Sequence, residues 1–212
     1  MVHGASVQAI TIVALGDSTT AGTPGFQSPL ESPPDGAGDV ESQYAYWLMK
    51  AHPEWRVLNR GVNGERSDQI RARFHRDVGM VRPDAVVVIA GVNDIYQGRS
   101  SELVERELEA IYEAARAALI PLVAGAILPY NTSTSDAIAR MRDVNDWMRA
   151  YAARNAHVVF CDTRAATATP NDPDRLASSP DGLHPSPDGY RRMAAALEPV
   201  IAGLLARPPG LR

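Results

Sequence analysis

The stretch DAVVVIAG, residues 84–91, constrains the chain more than any other. It is a short, unbroken apolar run with no polar residue alternating through it. That is the pattern of a strand buried on both faces, which requires cover above and below. Four more short runs read as strands: AITIVAL (9–15), WRVLN (55–59), PLVAGAILP (121–129) and HVVFCD (157–162). Helical patterns fall between them. SQYAYWLMKAH (42–52) is one, and SDQIRARFHRDVGMV (67–81) is another, with Ser67 at its cap position. Residues 101–119 carry an apolar stripe through Val104, Leu108, Ile111, Ala115 and Leu119, at steps of three and four. Residues 135–155 repeat the pattern with Ile138, Met141, Val144, Met148 and Tyr151. A last helix starts at Ser186-Pro187 and is expected to stop at Pro208-Pro209. Strands alternating with helices predict a three-layer α/β/α sandwich around a five-stranded, parallel, flavodoxin-like sheet.

At 212 residues the chain is read as one domain spanning 1–212, long enough to bury a full core. It is 45% apolar and 22% charged, with a net charge of −4 and no basic stripe, so no nucleic-acid partner is expected. No apolar run approaches the roughly 20 residues of a membrane helix. The N-terminus has no charged segment leading into a long apolar one, so a cytoplasmic protein is expected. The one cysteine, Cys161, sits in a strand pattern and reads as a buried, inert thiol. His52, His75 and His157 have no partners at metal-ligand spacing, and His3 lies in a terminus expected to fray. No metal and no cofactor are expected, and no phosphate-binding glycine loop follows any strand.

Three stretches rich in Pro, Gly, Ser, Thr and Asp read as loops: 22–40, 129–135 and 163–183. They follow the first, fourth and fifth strands, so all lie at the carboxyl edge of the sheet, where open α/β folds bind ligands. Residues 22–40 suit a lid or an oligomer contact. Four short pieces gather at the same edge: GDS (16–18), NRGVNGE (59–65), GVND (91–94) and DGLHP (181–185). Singly, each has an ordinary reading. A Ser after a strand is commonly a helix cap, Asn-Gly a turn, Asn-Asp a cap, and an Asp three residues before a His two surface side chains. Together they require four coincidences at one place.

In these pieces the chain resembles the SGNH (GDSL-type) hydrolase family, a family of serine esterases and lipases. The matching residues are Ser18 in GDS, Gly64 in GVNG, Asn93 in GVND and His184 in DGLHP. The blocks run from residue 16 to 185, most of the chain. GDS alone is unspecific, whereas GxND followed by DxxHP is strong. Thr19 stands where the family usually has Leu, a position that is not catalytic. The α/β-hydrolase elbow GxSxG is absent, because Thr20 replaces its second glycine.

The chemistry suits the residue types. A serine hydroxyl needs a base to remove its proton during attack. His184 is the available base, since imidazole titrates near neutral pH, and activity is expected to rise through about pH 6 to 7. The resemblance implies that Asp181 is the acid that orients it. It also implies three oxyanion donors: the N–H of Ser18, the N–H of Gly64 and the side-chain amide of Asn93. Gly64 can take positive φ, and Asn93 donates without adding charge. Asp17 and Asp94 read as residues that hold their loops by hydrogen bonds to backbone. Phe26, Leu30, Tyr96 and Tyr130 are candidates to line a substrate pocket, or else to pack their own loops.

The expected function is hydrolysis of carboxylic esters, short-chain ones first, through an acyl-enzyme on Ser18, with a small-molecule ester as partner. A carbohydrate O-deacetylase is the alternative, because the polar loops suit a sugar. A thioesterase or acyltransferase could use the same acyl-enzyme. A binding module on the same sheet would not need Ser18, Gly64, Asn93, Asp181 and His184 together. Asn-Thr-Ser at 131–133 matches a glycosylation acceptor, which matters only in a secreted eukaryotic protein.

Overall fold

The computed structural model describes residues 9–207. His3 and the helix stop expected at Pro208-Pro209 lie outside them. The central sheet has five parallel strands: β1 (Ile10–Gly16), β2 (Trp55–Gly61), β3 (Ala85–Ile89), β4 (Leu122–Gly125) and β5 (Val158–Cys161). Their spatial order is β2-β1-β3-β4-β5, the flavodoxin-like arrangement. Successive residues face opposite sides, so β3 feeds two cores at once. Val86 and Val88 pack with Val13, Leu15, Leu122 and Ala124 against Leu108, Ile111, Met141 and Val144. Ala85, Val87 and Ile89 pack on the other face with Tyr44, Leu48, Tyr190, Leu197 and Ile201. The unbroken apolar run at 84–91 thus follows from cover on both faces.

The covering helices are α1 (Ser18–Ala21), α2 (Tyr44–Ala51), α3 (Ser67–Ala72), α4 (Val92–Tyr96), α5 (Ser101–Ala117), α6 (Ser135–Arg154), α7 (Thr163–Thr167) and α8 (Pro187–Leu205). Among the described residues, no helix is long and apolar enough to cross a membrane.

Several boundaries differ from expectation for identifiable reasons. The fourth strand is shorter than 121–129, because the amide of Asn145 on α6 replaces the ladder. Its oxygen accepts from Ile127 N–H at 2.7 Å, and its NH₂ donates to the Ile127 carbonyl at 3.0 Å. The helix expected over 67–81 stops at Ala72 and gives way to a π turn at His75–Gly79, with Arg73 turned inward between the two. The stripe of α5 ends early, since the helix stops at Ala117 and leaves Leu119 90% exposed with a positive φ. Residues 163–183 are more ordered than a loop. Asp162 caps α7 by accepting from Ala165 N–H at 2.9 Å, and 168–169 pairs antiparallel with 172–176. Residues 22–40 contain a small pair too, Phe26–Gln27 against Ala37–Gly38.

Candidate active site

β1 delivers the chain to the carboxyl edge at Gly16. Asp17 caps the turn that follows, its Oδ1 accepting from Thr19 N–H at 2.9 Å. That turn is α1, closed by the N–H of Gly22 donating to the Ser18 carbonyl at 2.9 Å. Ser18 is therefore the first residue of the turn rather than its cap. Its backbone N–H is one of those that a helix start leaves without an intrahelical acceptor.

Ser18 Oγ lies 2.9 Å from His184 Nε2, across 166 residues of sequence. His184 Nδ1 lies 2.7 Å from Asp181 Oδ2. The other oxygen of that carboxylate accepts from the N–H of Leu183 at 2.9 Å and of His184 at 2.8 Å. Burial works against the charge on Asp181, but the His184 ring and these amides outweigh it and hold the carboxyl at about 2. Ser18 and His184 are buried, while the Asp181 side chain is 35% exposed. The loop is tightened further by Ser179, whose hydroxyl donates to the His184 carbonyl at 2.6 Å.

Two other strand ends converge here. Gly64, after β2, has φ 77°, which a side chain rarely tolerates. Asn93 sits in the first turn of α4 and donates from Nδ2 to the Glu65 carbonyl at 2.9 Å. That bond occupies one of its two N–H groups and joins the Asn93 side chain to the Gly64 loop. Asp94 is fully buried and accepts from Ser67 N–H and Ser67 Oγ, both at 2.8 Å, and from Arg99 Nη1 at 3.0 Å. It thereby ties the start of α3 to α4. Asp17 is buried as well, and its Oδ2 has no hydrogen-bond partner among the described residues. It borders a gap too narrow for a water molecule, lined by Thr19, Ile89, Ala90, Val92, Ile127 and Leu128. Burial pushes its carboxyl up to about 7, against the lowering effect of the Thr19 hydrogen bonds.

The sequence profile of the GDSL-like Lipase/Acylhydrolase family matches residues 14–192, a span that takes in all four pieces of the site. The chain belongs to the GDSL-like lipase/acylhydrolase family. An acetylxylan esterase of Geobacillus stearothermophilus is 29% identical over 136 residues, covering 58% of this chain and 62% of the relative. The alignment thus spans less than two thirds of that relative's own length. Among solved structures, a lipolytic protein of the G-D-S-L family from Desulfitobacterium hafniense superposes with a TM-score of 0.74 at 22% identity, covering 90% of this chain and 98% of that one. A catalytic mutant of an acetylxylan esterase from Geobacillus stearothermophilus gives 0.71 at 22% identity, covering 95% and 98%. At those identities the two structures speak for the fold.

Within this GDSL-like chain the four pocket candidates separate. Phe26 is buried in its own loop, where a Cβ at Gly36 would meet its ring at 2.4 Å. Leu30 is half-buried in the same loop. Tyr96, at the end of α4, is 63% exposed and meets the buried Tyr130 edge-on, with centroids 5.9 Å apart. The next residue, Asn131, donates its N–H to the Gly182 carbonyl at 2.7 Å, which places the Tyr130 segment against the His184 loop. Cys161 is buried, its thiol pushed up to about 12 by burial and directed at the Ala196 carbonyl. Ser67, expected as a helix cap, is instead the first residue of α3 after a cap at Arg66, and its N–H and hydroxyl bind Asp94; Ser179 carries no mark in the sequence beyond its nearness to the DGLHP motif.

Proposed function

We propose that this protein is a serine esterase that cleaves short-chain carboxylic esters through an acyl-enzyme on Ser18. The observation that carries the reading is the continuous hydrogen-bonded chain Ser18–His184–Asp181. His184 Nε2 takes the Ser18 proton as Oγ attacks the ester carbonyl. Asp181 holds the Nδ1 proton and steadies the imidazolium that forms. The tetrahedral oxyanion receives the N–H of Ser18, the N–H of Gly64 and the second N–H of Asn93. His184 then gives its proton to the departing alkoxide, and the acyl group stays on Ser18. Water, deprotonated by the same imidazole, releases the acid and restores the serine.

A second reading concerns the alcohol. The acetylxylan esterase relative favours an O-acetylated carbohydrate, with acetate as the acyl group. Both readings are tested by one assay. Wild type and Ser18→Ala are given p-nitrophenyl esters of increasing acyl length, and acetylated xylo-oligosaccharides with acetate release as the readout. Turnover by wild type and none by Ser18→Ala is the expected result. Equal rates for the two proteins would remove Ser18 from the mechanism. A rate on the acetylated sugar above that on p-nitrophenyl acetate would select the carbohydrate reading.

A further inference from the structure

Arg73 is among the most connected side chains near the site, yet it touches none of the groups assigned above. It is 7% exposed and lies where α3 breaks into the π turn. Its guanidinium makes four hydrogen bonds in three directions. Nη2 donates to the Gly16 carbonyl at 2.7 Å, two residues before Ser18. Nη1 donates to the Arg60 carbonyl at the end of β2 and to Asp77 Oδ2, both at 2.8 Å. Nε donates to Glu65 Oε2 at 2.6 Å, the residue after Gly64. The carbonyl of that same Glu65 accepts from Asn93.

A buried guanidinium is tolerable only with its charge met, and Glu65 and Asp77 meet it. Burial works against the charge on Asp77, but hydrogen bonds from Arg76 and Arg73 outweigh it and hold the carboxyl below its ordinary range. The fork therefore has little freedom to move. One planar group fixes the strand end that leads to Ser18, the strand end that leads to Gly64, and the residue on which Asn93 rests.

We propose that Arg73 is a positioning residue of the site, setting the turn that carries Ser18 in register with the loop that carries Gly64 and supports Asn93. The proposal deepens the serine-esterase reading and rests on it for its kinetic consequences. Lysine keeps the charge but presents a point ammonium with three donors, so it cannot reach all four acceptors in their fixed plane. Misplacing catalytic groups by about 1 Å costs on the order of 10²-fold in rate.

The test compares Arg73→Lys with a control that weakens the fold elsewhere, Ile111→Ala in the α5 face of the core. Each is followed by Tm, by kcat and KM on p-nitrophenyl acetate, and by amide hydrogen exchange at Ala21, whose N–H donates to the Asp17 carbonyl, at Val62, whose N–H donates to the Gly16 carbonyl, and at Val87. Arg73→Lys is expected to lower kcat by about 10²-fold with KM changed less than about twofold. Exchange should quicken at Ala21 and Val62 but not at Val87 in the sheet. Ile111→Ala should lower Tm and leave kcat near wild type. If Arg73→Lys does not fold, Glu65→Gln weakens the same link and should show the same pattern in smaller measure.

A loss of kcat that merely tracks Tm in both variants would overturn the proposal. Unchanged exchange at Ala21 and Val62 would also overturn it. Should wild type and Ser18→Ala prove equally inert toward esters, the esterase reading falls. The exchange data would still decide whether Arg73 holds the two loops.

Discussion

In the proposed mechanism Asn93 offers an amide where a carboxylate of nearly the same shape would set a negative charge against a developing oxyanion. One N–H is already committed to Glu65, so the side chain is held before substrate arrives. Removing one such donor typically costs about 10²–10³ in kcat. Asn93→Ala should fall in that range with KM little changed, and Asn93→Asp should be slower still; steady-state kinetics on p-nitrophenyl acetate check both. An Asp variant as fast as wild type would overturn the proposed oxyanion role of Asn93. Asp181→Asn tests a different step. It reverses the hydrogen bond to His184 Nδ1 and favours the tautomer that cannot accept from Ser18, so kcat should fall by roughly 10⁴. The motifs at the strand ends and the resemblance to the SGNH family single out Ser18, Gly64, Asn93, Asp181 and His184; the structure brings Ser18, His184 and Asp181 into hydrogen-bond contact and ties Asn93 to the loop of Gly64. Arg73 was not legible in the sequence. Its role depends on a carbonyl 57 residues away and on Glu65, and an arginine in a helical pattern carries no local sign that it turns inward.

At the scale of elements, the placement of Ser18, the proposed nucleophile, depends on how closely α1 lies against β2. Asn59 donates to the Ala21 carbonyl at 3.1 Å, and Gly61 lies so near that a Cβ there would sit 2.0 Å from the Ala21 nitrogen. Both atoms in that clash are attached to backbone, so neither can swing away. Gly61→Ala should displace α1. It is expected to cost about 1–3 kcal/mol or more in urea unfolding and to lower kcat more than Ile111→Ala does at equal loss of stability. Equal kcat in those two variants would mean that α1 tolerates the shift. The sheet strands were legible as short apolar runs, α5 and α6 from their apolar period, and α8 from its Ser186-Pro187 start. The ends were not, because they are set by partners far along the chain. β4 stops where Asn145 takes over its hydrogen bonds. The 67–81 pattern is apolar at helical spacing throughout, but the inward turn of Arg73 and a π turn interrupt it. α7 hangs on the single cap of Asp162 and is too short to show a period.

Across the whole molecule, buried and bridging titratable groups tilt stability toward mildly acidic pH. Asp17 is held near 7, against 3.8 ordinarily. Between about pH 4 and 7 the folded chain keeps a proton there that the unfolded chain has lost, so stability falls as pH rises through that window. The effect is a few kcal/mol at most, at about 1.4 kcal/mol for each tenfold change in proton affinity. His52 joins the two ends of one layer. Its ring bonds Glu198 of α8 at 2.8 Å and Glu54 at 2.9 Å, just before β2, and stacks on Trp55. Those carboxylates, Glu198 first, raise its proton affinity above the ordinary 6.5. Its contribution is fully present below pH 6.5 and is lost as pH rises through the raised value. Asp181 acts in the opposite sense. Held at about 2, it stabilises above pH 3.8 and ceases to do so as pH falls toward 2. The urea midpoint should therefore be higher at pH 5 than at pH 8 and should drop again below pH 4. Asp17→Asn keeps an oxygen to accept from Thr19 and removes the charge, so it should flatten the decline between pH 4 and 7. His52→Gln should flatten only the part above pH 6.5. A wild-type midpoint that is level or rising from pH 5 to 8 would mean that Asp17 ionises in the fold without cost, and that its burial is not what sets its protonation.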